Sequence, residues 1–365
     1  MFPSRVSQPE LPRTPGASMA PLPRVVAMGG GTGLPNVLRG LRPLLYGKES
    51  EPELAPRDRL VAIVATSDDG GSSGKLRAQF NIVPPGDIRN CLAALSDNHA
   101  LIADLFQYRF GSGDGLNGHT LGNLVLTALA DVMNDFPRAV EIAARVVGAF
   151  GTVLPATSEV VTLLAEFEDG RVLHGETAIS SAGGRILRVS LIPERPRFVP
   201  ETCEVLRRAD AIVAGPGSLY TSVLPPLLVP QVADAVRRSA GARILVANLM
   251  TEPGETDDFS VLDHVLTIER HLEAQVFEYV IYNTAPVPAP LAASYAARGS
   301  RPIATGAFEL NALEKLGIQP VGVALVSEHP VGRIRHHPDR LAASITAIAQ
   351  GTIGAWRGRA GAGGL

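Results

Sequence analysis

Short apolar runs closed by glycine, proline or small polar residues alternate along the chain with longer stretches whose apolar positions recur at helical spacing. The first run, residues 24–28, predicts a strand. It feeds Gly29-Gly30-Gly31-Thr32-Gly33, and residues 34–45 then carry a helical pattern. A second strand is expected at 60–65, after a Pro- and Glu-rich loop, and a loop of Gly, Ser and Asp follows it. At Pro84-Pro85-Gly86-Asp87 the chain turns, and Asp87 can cap a helix beginning near Ile88. Helical patterns continue through 100–110, Leu121–Met133 and 137–150.

The texture then changes. Residues 160–168, 171–179 and 186–191 alternate apolar and polar, joined by Glu168-Asp169-Gly170 and Ala182-Gly183-Gly184, which predicts a hairpin or small antiparallel insertion at about 155–195. Strand and helix patterns then alternate again, with strands at 209–214, 243–247, Tyr279–Asn283, 301–304 and 321–326. Helices are expected at 231–239, 257–273 and 339–350. Alternation of this kind predicts an α/β fold, a mostly parallel sheet with helices on both faces. Ligands of such sheets lie at the carboxyl ends of the strands. Residues 1–23, Pro-rich and polar, are expected to be a disordered leader, 24–352 a single domain and 353–365 a flexible tail.

Composition narrows the function classes. With 365 residues, 45% hydrophobic and 19% charged, the chain can bury a large core. A formal net charge of −3 and the absence of a polybasic segment argue against a nucleic-acid partner. No apolar run approaches the roughly 18–20 residues of a membrane span. Cys91 and Cys203, the only cysteines, have no metal-ligand spacing and no disulfide framework, which suits a reduced, cytoplasmic setting.

The candidate chemistry sits in the loops that end strands. Gly30, Gly31, Thr32 and Gly33 let the backbone approach a ligand, and the helix behind them offers free N–H groups to a phosphate. The spacing is neither the strict dinucleotide fingerprint nor a P-loop. In Ser67-Asp68-Asp69-Gly70-Gly71-Ser72-Ser73-Gly74-Lys75, Asp68 or Asp69 could take ribose hydroxyls or a Mg²⁺, while Ser72, Ser73 and Lys75 could hold phosphate oxygens. Neighbouring side chains of an extended segment point opposite ways, so both aspartates are not expected on one ligand atom. Arg89 and Asn90 stand in the first turn of a helix, and arginine suits bidentate phosphate contact. His119 and, four residues on, Asn123 offer an acid–base or hydrogen-bonding pair. Gly217, Ser218 and Tyr220 lie in a second anion-binding loop, Gly215-Pro216-Gly217-Ser218-Leu219-Tyr220, and Asn248 to Thr256 follow another strand, with Thr256 a candidate helix cap. The convergence of four such loops on one sheet edge carries more weight than any one of them. No nucleophile–base pair, His/Cys metal cluster or hydride-transfer signature accompanies them, which favours binding over turnover and weighs against an NAD-dependent oxidoreductase.

On these strings the chain resembles the YvcK/CofD-like family, in its bacterial gluconeogenesis-factor branch. Asp-Asp-Gly-Gly-Ser-Ser-Gly and Gly-Pro-Gly-Ser-Leu-Tyr are the most specific, and the matching segments run in order over about 24–352. The resemblance implies a Rossmann-like fold and a cytoplasmic protein needed for cell shape during growth on gluconeogenic carbon sources. It also implies binding of a UDP-sugar such as UDP-N-acetylglucosamine. Related CofD enzymes transfer a phospholactyl group from a nucleotide-diphosphate-linked donor, so a Mg²⁺-dependent transferase is the alternative. Carried over, Gly31, Thr32 and Gly33 would hold the diphosphate. Asp68 or Asp69 would contact the sugar or a metal, with Asp69 the candidate ligand, and Asn123 would contact the ligand. Gly217, Ser218 and Tyr220 would close the far side, and Arg301, after a Gly-Ser turn, could pair with a phosphate. A homo-oligomer is compatible with all of this.

Overall fold

The computed structural model describes residues 22–47, 51–96, 101–329 and 332–353. The expected leader, apart from its last residues, and nearly all of the expected tail lie outside them. Twelve strands are described: β1 (Val25–Gly29), β2 (Leu60–Val64), β3 (Thr152–Pro155), β4 (Thr162–Phe167), β5 (Val172–His174), β6 (Ile186–Ile192), β7 (Ala211–Ala214), β8 (Ala242–Val246), β9 (Tyr279–Asn283), β10 (Gln319–Val323), β11 (Val326–His329) and β12 (Arg333–His336). Seven form one sheet in the order β10-β9-β8-β7-β1-β2-β3, every pair parallel. The chain builds outward from β1 to β3 and then returns to the other side of β1 to lay down β7 onward. This is the Rossmann-like plan expected from the sequence, and the order reverses between β1 and β7.

The period of two along the strands sorts the core. Val25 and Ala27 of β1 join Leu60, Ala62 and Val64 of β2 in an apolar cluster on one face, under the helices Gly33–Tyr46, Gly86–Leu95 and Pro338–Ala349. Val26, Met28, Val61 and Ile63 point the other way, into a cluster shared with β4, β6 and the helix Val261–Leu272. Burial on both faces explains why these strands read as unbroken apolar runs.

The antiparallel insertion is present, with sheet order β5-β4-β6, but it differs from expectation in one respect. The alternating stretch 171–179 is not one strand. It ends at Gly175, whose φ of +91° breaks the extended chain, and a helix Glu176–Ala182 follows. That helix is capped from far away: the Asp69 carboxylate accepts the backbone N–H of Thr177 at 2.9 Å and its hydroxyl at 2.6 Å. Local pattern carries no trace of a cap 108 residues distant.

Other differences have equally plain causes. The 301–304 run makes only the isolated pairs Met250–Pro302 and Ser260–Ala304, because Pro302 has no N–H to give a ladder. Residues 321–326 divide between β10 and an antiparallel β11–β12 hairpin. The Gly- and Ser-rich stretch after β2 is a helix, Gly71–Phe80. Asp87 does not cap its helix, which starts at Gly86; its carboxylate goes to the glycine loop instead. Thr256 takes the N–H of Glu252, and the helix beyond begins with a capping box between Ser260 and Asp263.

Candidate functional site

The loops after β1, β7 and β8 meet at the switch point and form the floor of a cleft of about 550 Å³. Its first wall is Gly31-Thr32-Gly33. Gly31 has φ +61°, and its N–H donates to Asp87 at 2.7 Å. Gly33 opens the helix Gly33–Tyr46 so close to the β7 loop that a Cβ there would stand 1.9 Å from the carbonyl oxygen of Pro216. Opposite, the Asn248 amide holds both ends of one residue's backbone: its Oδ1 accepts Gly217 N–H at 3.1 Å and its Nδ2 donates to Gly217 O at 2.9 Å. Ser218, Ser222 and the stretch Asn248 to Pro253 complete the floor. A helix start, bent glycine backbone and two hydroxyls therefore face one space, the arrangement that takes a phosphate or diphosphate.

The roof comes from the end of the chain. Tyr295, Arg298 and Ser300 line the cleft, as do Ile334, Arg335 and His336 of β12. Arg335 donates to Thr32 Oγ1 at 2.5 Å, Asn36 Nδ2 to His336 O at 2.7 Å, and His336 Nε2 is 3.0 Å from Ala247 O. Burial first, and then the positive Arg335, pull His336 down to about 4, so it is neutral at pH 7.

The remaining side is acidic. Glu176, at the start of the insertion helix, lines the cleft, and burial followed by the charges of Asp68, Asp87, Asp69 and Glu255 pushes its carboxyl up to about 9. Burial and Glu255 raise Glu252 to about 7, against a hydrogen bond from Ser218. Asp87 is raised to about 6 by burial, opposed by the Gly31 N–H. At pH 7 Glu176 is thus a neutral acid able to donate a hydrogen bond beside a diphosphate-type cradle. Among the described residues no group of three or more His, Cys, Asp or Glu side chains is arranged to hold a metal ion.

Of the residues singled out from sequence, Gly31, Thr32, Gly33, Gly217 and Ser218 line the cleft together. Gly30 packs behind it, where a Cβ would come within 2.8 Å of Asp87 Oδ2. No residue of the second loop, Ser67 to Lys75, lines the cleft. Ser72 Oγ accepts from Asn123 Nδ2 at 3.0 Å and lies 3.0 Å from His119 Nδ1, making a buried polar cluster with Asn123 Oδ1 unpartnered. Ser73 is buried against Gly86. Arg89, also buried, donates to Thr120 Oγ1 at 2.5 Å and to Asn90 Oδ1 at 2.7 Å. The two aspartates diverge: Asp68 Oδ1 accepts Gly70 N–H at 2.9 Å, while Asp69 is engaged by Thr177. Lys75 is exposed, and so is Arg301, whose side chain stands 3.7 Å from Asp258. Tyr220 is in the core, edge-on to His271 and bonded to Ile186 O at 3.4 Å, and lines no part of the cleft. Glu176, Arg298 and Arg335 were not singled out. None lies in one of the glycine-rich loops that end the parallel strands, and only the topology brings them to the sheet edge.

Comparison with known proteins agrees with the fold. A family model described as 2-phospho-L-lactate transferase CofD matches residues 25–326. A gluconeogenesis factor of Bacillus subtilis is 41% identical over 324 residues, 89% of this chain and 97% of that protein. A putative gluconeogenesis factor of Nostoc is 44% identical over 321 residues, 88% of this chain and 67% of that protein. A crystal structure of a UPF0052-family protein from Bacillus halodurans superposes with a TM-score of 0.80 at 38% identity, covering 88% of this chain and 98% of the other.

Proposed function

The chain belongs to the CofD family, and from that premise we propose that it is a gluconeogenesis factor that binds a nucleotide-diphosphate sugar of the UDP-N-acetylglucosamine kind in the switch-point cleft. The observation that carries this is the paired cradle of Gly31–Gly33 and Gly217–Ser218, where the start of the helix Gly33–Tyr46 and the hydroxyl-bearing Thr32 and Ser218 line one cleft, a setting suited to a diphosphate. The neutral Glu176 and the Asn248–Glu252 wall beside it suit a hydroxyl-rich sugar. In this reading the protein acts in the cytoplasm as a regulator of cell shape under gluconeogenic growth, and ligand occupancy is its signal. The names of the relatives support the physiological setting.

A transferase reading has one observation in its favour. An acid held protonated near neutrality at the cleft, Glu176, could donate a proton to a leaving oxygen. The family model's own description points the same way. Calorimetric titration with UDP-N-acetylglucosamine, UDP-glucose, GDP and NAD, each with and without Mg²⁺, tests the choice. Binding of UDP-sugars with the ligand recovered intact is the expected result. Binding of GDP with Mg²⁺ and none of UDP-sugars would reject the regulator reading.

A further inference from the structure

Beside the cleft, sharing Thr32, Asn36 and Arg335 with it, lies a second hollow of about 230 Å³. On the order of seven waters would fill it. Pro35, Arg39 and Asn90 complete its wall, Arg39 from the second turn of the helix Gly33–Tyr46 and Asn90 from the second turn of Gly86–Leu95. No carboxylate lines it.

Its two arginines are poorly matched by the protein. Among the described residues Arg39 has neither an ion-pair nor a hydrogen-bond partner, and the one bond of Arg335 goes to the neutral Thr32 hydroxyl. Arg39 is exposed at the rim of the hollow, yet desolvation of its guanidinium first and the like charge of Arg335 second hold it below the usual arginine range, with Cys91 opposing. Two guanidinium groups facing one small space without a counter-charge repel each other unless an anion lies between them. Planar guanidinium forks match the tetrahedral oxygens of phosphate. In a chain of net charge −3 this local excess of positive charge is not a general surface property.

We propose that this hollow is a phosphate-binding site, gripped by Arg39 and Arg335, next to the cleft. The ion is either free phosphate or a phosphoryl group at the end of a larger ligand. Arg335 touches both spaces, so phosphate in the hollow competes with Thr32 for its guanidinium and loosens a contact that roofs the glycine loop.

The test is calorimetric titration of the full chain with sodium phosphate, ionic strength held constant with NaCl. Arg39→Gln, which gives up no partner in the fold, is expected to weaken phosphate binding about tenfold or more, and Arg39→Lys by an intermediate factor. Arg301→Gln, which removes an exposed arginine that lines neither the cleft nor the hollow, is expected to leave the affinity within about twofold. Absence of binding to the wild-type chain, unchanged affinity in Arg39→Gln, or equal weakening by Arg301→Gln would each overturn the proposal. Repeating the wild-type titration with UDP at saturation reads the source. Phosphate that still binds is a free ion, and phosphate that is displaced stands in for a group on the cleft ligand. If UDP itself does not bind, the nucleotide reading of the cleft fails while the Arg39 comparison stands.

Discussion

Gly33→Ala should separate ligand binding from folding. The added Cβ would stand 1.9 Å from Pro216 O and 2.6 Å from Pro216 C, where real Cβ atoms essentially never come under 3.0 Å. One loop must therefore retreat by about 1.1 Å. Pro216 cannot yield freely, because Asn248 fixes the next residue by two hydrogen bonds, so the shift falls on the gap between the two halves of the cradle. A displacement of about 1 Å in a positioned site can cost on the order of a hundredfold, about 2.7 kcal/mol of affinity. Overpacking costs about 1–3 kcal/mol of stability, and replacing a helical glycine by alanine returns about 0.5–1. The fold should therefore survive with a modest drop in Tm while nucleotide affinity collapses. Calorimetry with UDP-N-acetylglucosamine, run beside thermal melts, measures both. Gly111→Ala is the control, since a Cβ there meets nothing within 4 Å. An affinity within threefold of wild type in Gly33→Ala would refute the claim that the diphosphate sits between these loops.

Three further outcomes follow from the same geometry. Asp69→Ala removes the distant cap of the insertion helix, so amide exchange at Glu176–Ala182 should speed up by roughly tenfold or more, for about 1–2 kcal/mol of local stability; unchanged exchange would show that the carboxylate does not hold that helix. Glu252 has a folded-state pKa raised to about 7, so the unfolded chain gives up this proton first and stability falls as pH rises from about 4.5 to 7; Glu252→Gln should flatten that slope and stabilise the protein at pH 8 by on the order of 2 kcal/mol, read from urea melts at several pH values. Ser72→Ala leaves the buried Asn123 amide without its acceptor and should lower stability by about 1–3 kcal/mol, and equal urea midpoints for variant and wild type would count against the cluster.

The sheet and the cradle were legible because both are written locally. A strand buried on both faces must be apolar throughout, as at residues 60–64, and a glycine loop that lets two backbones touch must lack Cβ atoms, as at Gly33. The rest depends on partners far away in sequence. Tyr220 reads as a ligand contact beside Ser218, yet a short π-helical turn, Leu219–Val223, rotates it into the core. Asp69 reads as a metal or sugar contact, and its bonds go to Thr177, in a segment whose own pattern suggests a strand. Glu176 gains its raised pKa first from burial and then from carboxylates far off in the chain, most of them about a hundred positions earlier, and such a field leaves no motif. Arg301, read as a phosphate partner, is exposed; the cleft's arginines are Arg298 and Arg335, placed there by the turn before it and by β12.

The bond between Arg335 and Thr32 joins residues 303 positions apart. The glycine loop emerges early in synthesis and its roof almost at the end of the described chain. Contacts of such long separation are the slowest to close. A nascent or truncated chain could hold the parallel sheet and still present an open cleft, so a ligand that needs the roof distinguishes finished molecules from partial ones. Occupancy would then count only those copies that have been made through β12.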